Sequence, residues 1–337
     1  MSSLHLTGGR QRKLLFKNEE EQRLYEAALI LRLETTSETS ALKVEYKSPP
    51  EARASEETSN VFKSSTIVGN RFYTCTSTEV LVYEMPEFRR ISYVSLPCFN
   101  DLHHVTPTRD GNLLVAVTGL DMVVKFTPEG KVLNYWNVLG KDPWSRFSPD
   151  VDYRKVESTK PHDSHPNAAF ELGDDVWVTR LQQRDAICLT RPGLRINIEV
   201  QRPHDGLLWN GQLYFTTVDG RIVIANPQSL QVERIIDLHE IHRKSQQENI
   251  LLGWCRGILP IDERRIWVGF TRVRKTMFME NVLWIKKGFQ NKSKPTHLGL
   301  YDIAEQKCLQ EIDLEGHGMN VIFGIYDATA PGIGPER

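Results

Sequence analysis

Cysteine is sparse and without pattern in this chain. Cys75, Cys98, Cys188, Cys255 and Cys308 are scattered, odd in number and free of any CxxC spacing, which argues against a disulfide framework or a zinc knuckle and for buried strand thiols. Long apolar runs are absent. None approaches the ~20 residues of a membrane span, and Met1–Arg10 carries neither an apolar signal region nor a cleavage motif, so a cytoplasmic protein without a membrane partner is expected. Charge of one sign is missing too: the formal net charge of −1 provides no global field for nucleic acid. No GxGxxG follows a strand, and GxxxxGK[ST], GxSxG and HExxH do not occur, so no nucleotide cradle, hydrolase elbow or zincin helix is signalled.

Helical periodicity is nearly absent as well. Residues 1–17 are polar and basic, a loose arm. Asn18 with Glu21 forms a capping box ahead of Leu24, Ala28 and Leu31, which share one helical face and predict a short amino-terminal helix. Residues 34–59 read as a linker with one strand at Leu42–Tyr46. The expected organisation is an arm, helix and linker at 1–59 able to lend strands to a closing blade, a β-propeller at 60–327, and a tail at 328–337.

What is present from residue 60 onward is a repeat of short strands separated by turn residues, such as Asp110-Gly111 and Glu129-Gly130. Five four-stranded repeats occupy about 61–96, 104–137, 165–200, 204–238 and 256–314, and an orphan strand at 320–326 would complete a blade begun by the amino terminus. The expectation is an all-β, six-bladed propeller, closed so that no sheet edge stays open. Three insertions, 139–162, 239–253 and 275–295, emerge over the mouth where the inner strands begin. They carry aromatics (Trp144, Phe147, Phe278, Trp284) that could meet a protein partner at the rim, and a basic stretch at 286–294. The pair His239 and His242 is expected in the solvated start of the second insertion.

His104, His165, His204 and His317 open or closely precede inner strands, as Arg256 does, so all five are expected to converge on one axial funnel. Histidines on separate rigid strands suit a divalent metal such as Fe, Zn, Mn or Ca, with Asp101, Asp163 and Asp205 orienting the imidazoles. Carotenoid cleavage oxygenases hold iron by propeller histidines in an analogous geometry. Arg180, Arg272 and Arg274 end or follow second strands and are expected at the same mouth, where guanidinium forks take carboxylate, sulfate or phosphate.

Some stretches resemble known families. The segment Asp163–Asn167 followed by Arg180, with the His103-His104 pair upstream, is similar over about 80 residues to blades of arylsulfate sulfotransferases. That resemblance implies a histidine that is transiently sulfated, with His165, Asn167 and Arg180 in nucleophile or sulfate-holding roles. The stretch from Pro203-His204-Asp205 to Thr216 resembles a blade of virginiamycin B lyase, a metal-dependent eliminase. The carboxyl-terminal part (Gly253–Pro260, Trp267–Arg274, Leu300–Ile303 and the last strand) resembles a largely uncharacterised bacterial propeller family. Together these lead to an enzyme with a His/Arg-lined axial pocket acting on a small anionic or oxygen-bearing substrate. His165, Arg180, Arg256 and Arg272 are the candidate catalytic groups, His104, His165, His204 and His317 the candidate metal ligands, and Asn167, Arg180 and Arg274 the candidate substrate contacts. A metal-free histidine-dependent sulfuryl or group transferase and a non-enzymatic scaffold are the alternatives.

Overall fold

The computed structural model describes residues 3–13, 24–246, 250–273 and 293–329. Its strands are β1 (Ser3–Gln11), β2 (Tyr25–Glu34), β3 (Thr39–Tyr46), β4 (Thr66–Val68), β5 (Arg71–Cys75), β6 (Val80–Glu84), β7 (Arg89–Val94), β8 (Leu102–Pro107), β9 (Leu113–Val117), β10 (Met122–Phe126), β11 (Val132–Asn137) and β12 (Pro166–Leu172). They continue with β13 (Asp175–Arg180), β14 (Asp185–Cys188), β15 (Arg195–Asn197), β16 (Leu207–Trp209), β17 (Gln212–Thr217), β18 (Arg221–Ala225), β19 (Val232–Asp237), β20 (Trp254–Pro260), β21 (Arg265–Thr271), β22 (His297–Asp302), β23 (Lys307–Asp313) and β24 (Val321–Asp327). One α-helix, α1 (Leu238–Gln246), follows β19.

These strands form six antiparallel four-stranded sheets. Blades 1 to 5 are consecutive meanders, β4–β7 through β20–β23. Blade 6 is assembled from both ends of the chain in the order β24-β1-β2-β3. The orphan last strand therefore closes the ring as expected, and the turn glycines Gly111 and Gly130 take φ of 80° and 89°.

A separate apolar core lies between each pair of neighbouring blades. Val115 and Val124 of blade 2 meet Tyr73 and Val82 of blade 1, whereas Leu114, Ala116 and Val123 meet Ala169 and Val178 of blade 3. Each blade is thus buried on both faces, and its central strands are apolar at consecutive positions.

This double burial explains the error at the amino terminus. Where a helix was expected through Leu24, Ala28 and Leu31, the chain forms β2. Leu29 and Leu31 face blade 5, and Ala28 and Ile30 face blade 1. A strand wetted on neither face loses the alternation that identifies it. The expected capping box at Asn18 and Glu21 lies outside the described residues. The arm is a strand as well: Leu4, Leu6 and Thr7 of β1 are fully buried. Gly8 permits the closure, since a Cβ there would sit 1.9 Å from the Val321 carbonyl oxygen.

Candidate functional site

The inner strands do not run evenly past the axis. In β8 the ladder skips His103 (Leu102 faces Val117 and His104 faces Ala116), and in β24 it skips Phe323. In β20 the two residues Arg256 and Gly257 oppose Gly269 alone, and in β12 Asn167 and Ala168 oppose Thr179. A bulge of this kind re-aims the extra side chain. Three of the bulged residues, His103, Arg256 and Phe323, line an axial cavity of about 610 Å³.

The Phe323 ring is approached by two cations and two imidazoles. Lys63 Nζ stands 4.7 Å and the Arg256 guanidinium carbon 4.5 Å from its ring centroid, with Arg256 also 5.3 Å from Trp254. Four imidazoles complete the lining: His103, His162, His165 and His204. His103 is 4.9 Å from His165 and 5.9 Å from His204 between ring centroids. The Nδ1 atoms of His162 and His165 are 3.0 Å apart, so one must donate to the other. His165 is held in a left-handed conformation, φ 62°, by Asp121, whose Oδ1 accepts its amide N–H at 2.7 Å.

Two of the rings have definable hydrogen-bond roles. The Asp101 carbonyl can only accept, so His103 Nδ1–H donates to it at 3.0 Å, leaving Nε2 as an acceptor. His204 Nδ1 faces Asp205 Oδ1 at 3.5 Å, while Asp205 Oδ2 also accepts from Thr216 and, at 2.9 Å, from the amide of Gly257. His204 Nε2 is buried and has no hydrogen-bond partner. Burial holds all four imidazoles neutral at physiological pH: the pKa of His165 falls to about 3, and those of His103, His162 and His204 fall as well. Burial disfavours the charge on Asp101, but Lys63, with Nζ at 3.3 Å, keeps its carboxyl well below the usual range. Six Lys and Arg residues line the cavity against Asp101 and Glu157, and of these Arg154 is paired with Asp152, Arg272 with Glu315 and Lys63 with Asp101.

The segment 154–162 forms one wall. Asn100 donates to the carbonyls of Tyr153 and Val156, each at 2.8 Å, and Thr159 is 3.3 Å from Asn100 Oδ1. The long first insertion therefore closes part of the mouth, as expected. Its aromatics are half-buried: Trp144 packs on Tyr135 and Phe147 on Tyr153. Phe278 and Trp284 lie outside the described residues.

Of the residues expected at the axis, His165, His204, Arg256 and Arg272 line the cavity. Arg272 spends its guanidinium on Glu315, at 2.7 and 2.6 Å. The others do not converge. His104 points between blades, where Nδ1–H donates to the Ala169 carbonyl at 2.9 Å and Nε2 is 3.2 Å from Thr66 Oγ1. The bulge exchanges it for His103, the neighbour that sequence reasoning passed over. His317 sits in a turn before β24, 3.0 Å from Ser40 of the outermost strand. Arg180 is held bidentately by buried Asp185, and Asn167 donates to the Pro203 carbonyl. Arg274 lies outside the described residues. Asp163 pairs with Arg146 at 3.4 Å rather than orienting an imidazole. His162 and Lys63 were also missed. The Lys160-Pro161-His162 stretch within a long insertion was the available signal for His162, and nothing local marked Lys63.

Among the described residues, the three donor groups whose ligand atoms come within 4.8 Å of one another are His242, Cys308 and Glu311, away from the axis. No helix is long and apolar enough to cross a membrane among the described residues.

No protein-family model and no curated protein matches the chain. Solved structures match it by shape. A Bacteroides caccae protein of unknown function is 13% identical, with 96% of this chain and 98% of that one covered and a TM-score of 0.59. The β-propeller domain of Cps50 (Swd1) from Myceliophteria thermophila is 10% identical over 85% and 82% of the two chains, TM-score 0.49. A catalytically inactive virginiamycin B lyase from Staphylococcus aureus with Quinupristin is 15% identical over 71% and 69%, TM-score 0.45. At these identities the likeness is one of fold.

Proposed function

We propose that the axial cavity is an enzyme site for a small hydroxylated anion. In this reading Arg256 and Lys63 hold the anionic group, and His204, oriented by Asp205, accepts a proton. The observation that carries it is His204 Nε2: a buried imidazole nitrogen with no hydrogen-bond partner in the lining of a cationic cavity, its other nitrogen turned to a carboxylate. A general base needs such an arrangement, in which the carboxylate selects the tautomer and the lone pair is left without an internal partner. Two cations over one aromatic ring, with their imidazole neighbours neutral, favour a negatively charged ligand. The acceptor nitrogens of His103 and His204 suit a ligand that carries O–H donors.

The same observations weigh against a divalent metal at the axis. His104 and His317, two of the four expected ligands, lie elsewhere, and Lys63 and Arg256 raise the local potential. They also weigh against a sulfotransferase-like site, since Arg180 and Asn167 are engaged with Asp185 and Pro203.

Thermal unfolding with acetate, glycolate, sulfate and phosphate tests the reading. Anions are expected to stabilise the wild-type protein, glycolate more than acetate, by mass action on the folded state. Arg256→Gln should abolish the response to all four, and His204→Gln should abolish the preference for glycolate alone. A wild-type protein indifferent to every anion, or an Arg256→Gln variant that responds equally, refutes the assignment.

A further inference from the structure

We propose a second site, independent of the axis: a zinc-class divalent cation bound by His242, Cys308 and Glu311 on the outer side of blade 5, with His297 beside Glu311. His242 is on α1, His297 begins β22, and Cys308 and Glu311 belong to β23. Residues three apart on a regular strand point to opposite faces. Here the ladder shifts between Leu300 and Tyr301, which face Gln310 and Cys308, so Leu309 is the extra residue. That bulge turns Cys308 and Glu311 to the same side, and Leu309 is left exposed. The ligand atoms of His242, Cys308 and Glu311 then all lie within 4.8 Å of one another.

His297 is the independent indication. Its Nδ1–H donates to the Pro295 carbonyl at 2.7 Å, which leaves Nε2 as a bare acceptor. That nitrogen is buried without a hydrogen-bond partner and stands 3.6 Å from Glu311 Oε1, another acceptor. His242 Nδ1 approaches the same oxygen at 3.8 Å. Two imidazoles thus flank Glu311 Oε1 in a buried setting, where the cation now present is the Lys294 ammonium. A set of one imidazole, a thiolate and a carboxylate suits zinc, and the buried Nε2 of His297, 3.6 Å from Glu311 Oε1, is the nearby candidate for a fourth donor.

Lys294 Nζ now lies 2.7 Å from both Glu311 oxygens and is the internal competitor that metal displaces. On binding, the Cys308 S–H bond breaks, its proton leaves to solvent, and the sulfur lone pair forms the bond to the cation. The consequence is a clamp between α1 and the outer strand of blade 5, which no group at the axis can supply.

Cobalt(II) is the probe, added to metal-stripped full-length protein. The expected result is one cobalt per chain with a thiolate-to-cobalt charge-transfer band. Cys308→Ser, checked for folding by circular dichroism, should abolish the band and weaken zinc at least about tenfold in chelator competition. Glu311→Gln should weaken it too, Lys294→Met should strengthen it, and His165→Gln/His204→Gln should retain it. The proposal is overturned if no stoichiometric cobalt binds, if cobalt binds without a thiolate band, if the band persists in Cys308→Ser, or if the axial variant is the one that loses it.

Discussion

His104 offers a quantitative test of the propeller's internal electrostatics. It is buried between blades 2 and 3, its Nδ1–H given to the Ala169 carbonyl, and burial lowers its pKa to about 4. In the unfolded chain the same imidazole titrates near about 6.5. A folded pKa below the unfolded value means that the unfolded state binds the proton first. The contribution is therefore fully present above about pH 6.5 and is lost as pH falls toward about 4. At about pH 5, the difference between these two pKa values corresponds to roughly 2 kcal/mol of stability lost through this one group. Glutamine at position 104 can still donate to Ala169 but cannot titrate. Urea unfolding followed by tryptophan fluorescence, at about neutral pH and at about pH 5, should show His104→Gln losing roughly 2 kcal/mol less than the wild type on acidification. The other buried histidines act in both proteins and cancel. Equal losses in the two proteins would refute the assignment of His104 as a neutral inter-blade linker.

Two further perturbations address the frame of the site. Asp185 is fully buried and holds Arg180 at 2.8 and 2.6 Å and Arg195 at 2.7 Å, so Asp185→Ala should cost about 3–5 kcal/mol in urea unfolding. A loss below about 1 kcal/mol would refute the reading of Asp185 as the buried anchor of Arg180. Gly8→Ala would drive a Cβ into the Val321 carbonyl and should sharply lower the melting temperature by opening blade 6, whereas Gly316→Ala, with nothing within 4 Å, should leave it unchanged. Equal behaviour of the two variants would mean that the β1–β24 seam does not hold the ring closed.

The repeats were legible because each hairpin is a local event. Asp110-Gly111 and Glu129-Gly130 mark turns whichever blade is adjacent, and an unpaired strand at 320–326 implies a partner elsewhere in the chain. Leu24–Leu31 was misread for the converse reason: both of its faces are covered by blades 5 and 1, so its pattern lacks the mark of a wetted face. The site was legible as a neighbourhood. His165, His204 and Arg256 were found because they stand where inner strands begin, and Asp205 because it follows His204 directly.

The amino-acid sequence by itself determined the all-β class, the number of blades, their closure by the two chain ends and the axial position of three site residues, since these follow from strand length, turn chemistry and repeat spacing. Only the tertiary structure decided which of His103 and His104 faces the cavity. A single bulged residue inverts every side-chain direction around it, and bulges are set by how neighbouring blades pack. It alone also decided that Arg180 belongs to Asp185, that His317 belongs to the outer edge of blade 6, and that Lys63 and Arg256 meet over Phe323. Those pairings join residues far apart in the chain, and no local pattern encodes contacts that exist only once the ring has closed.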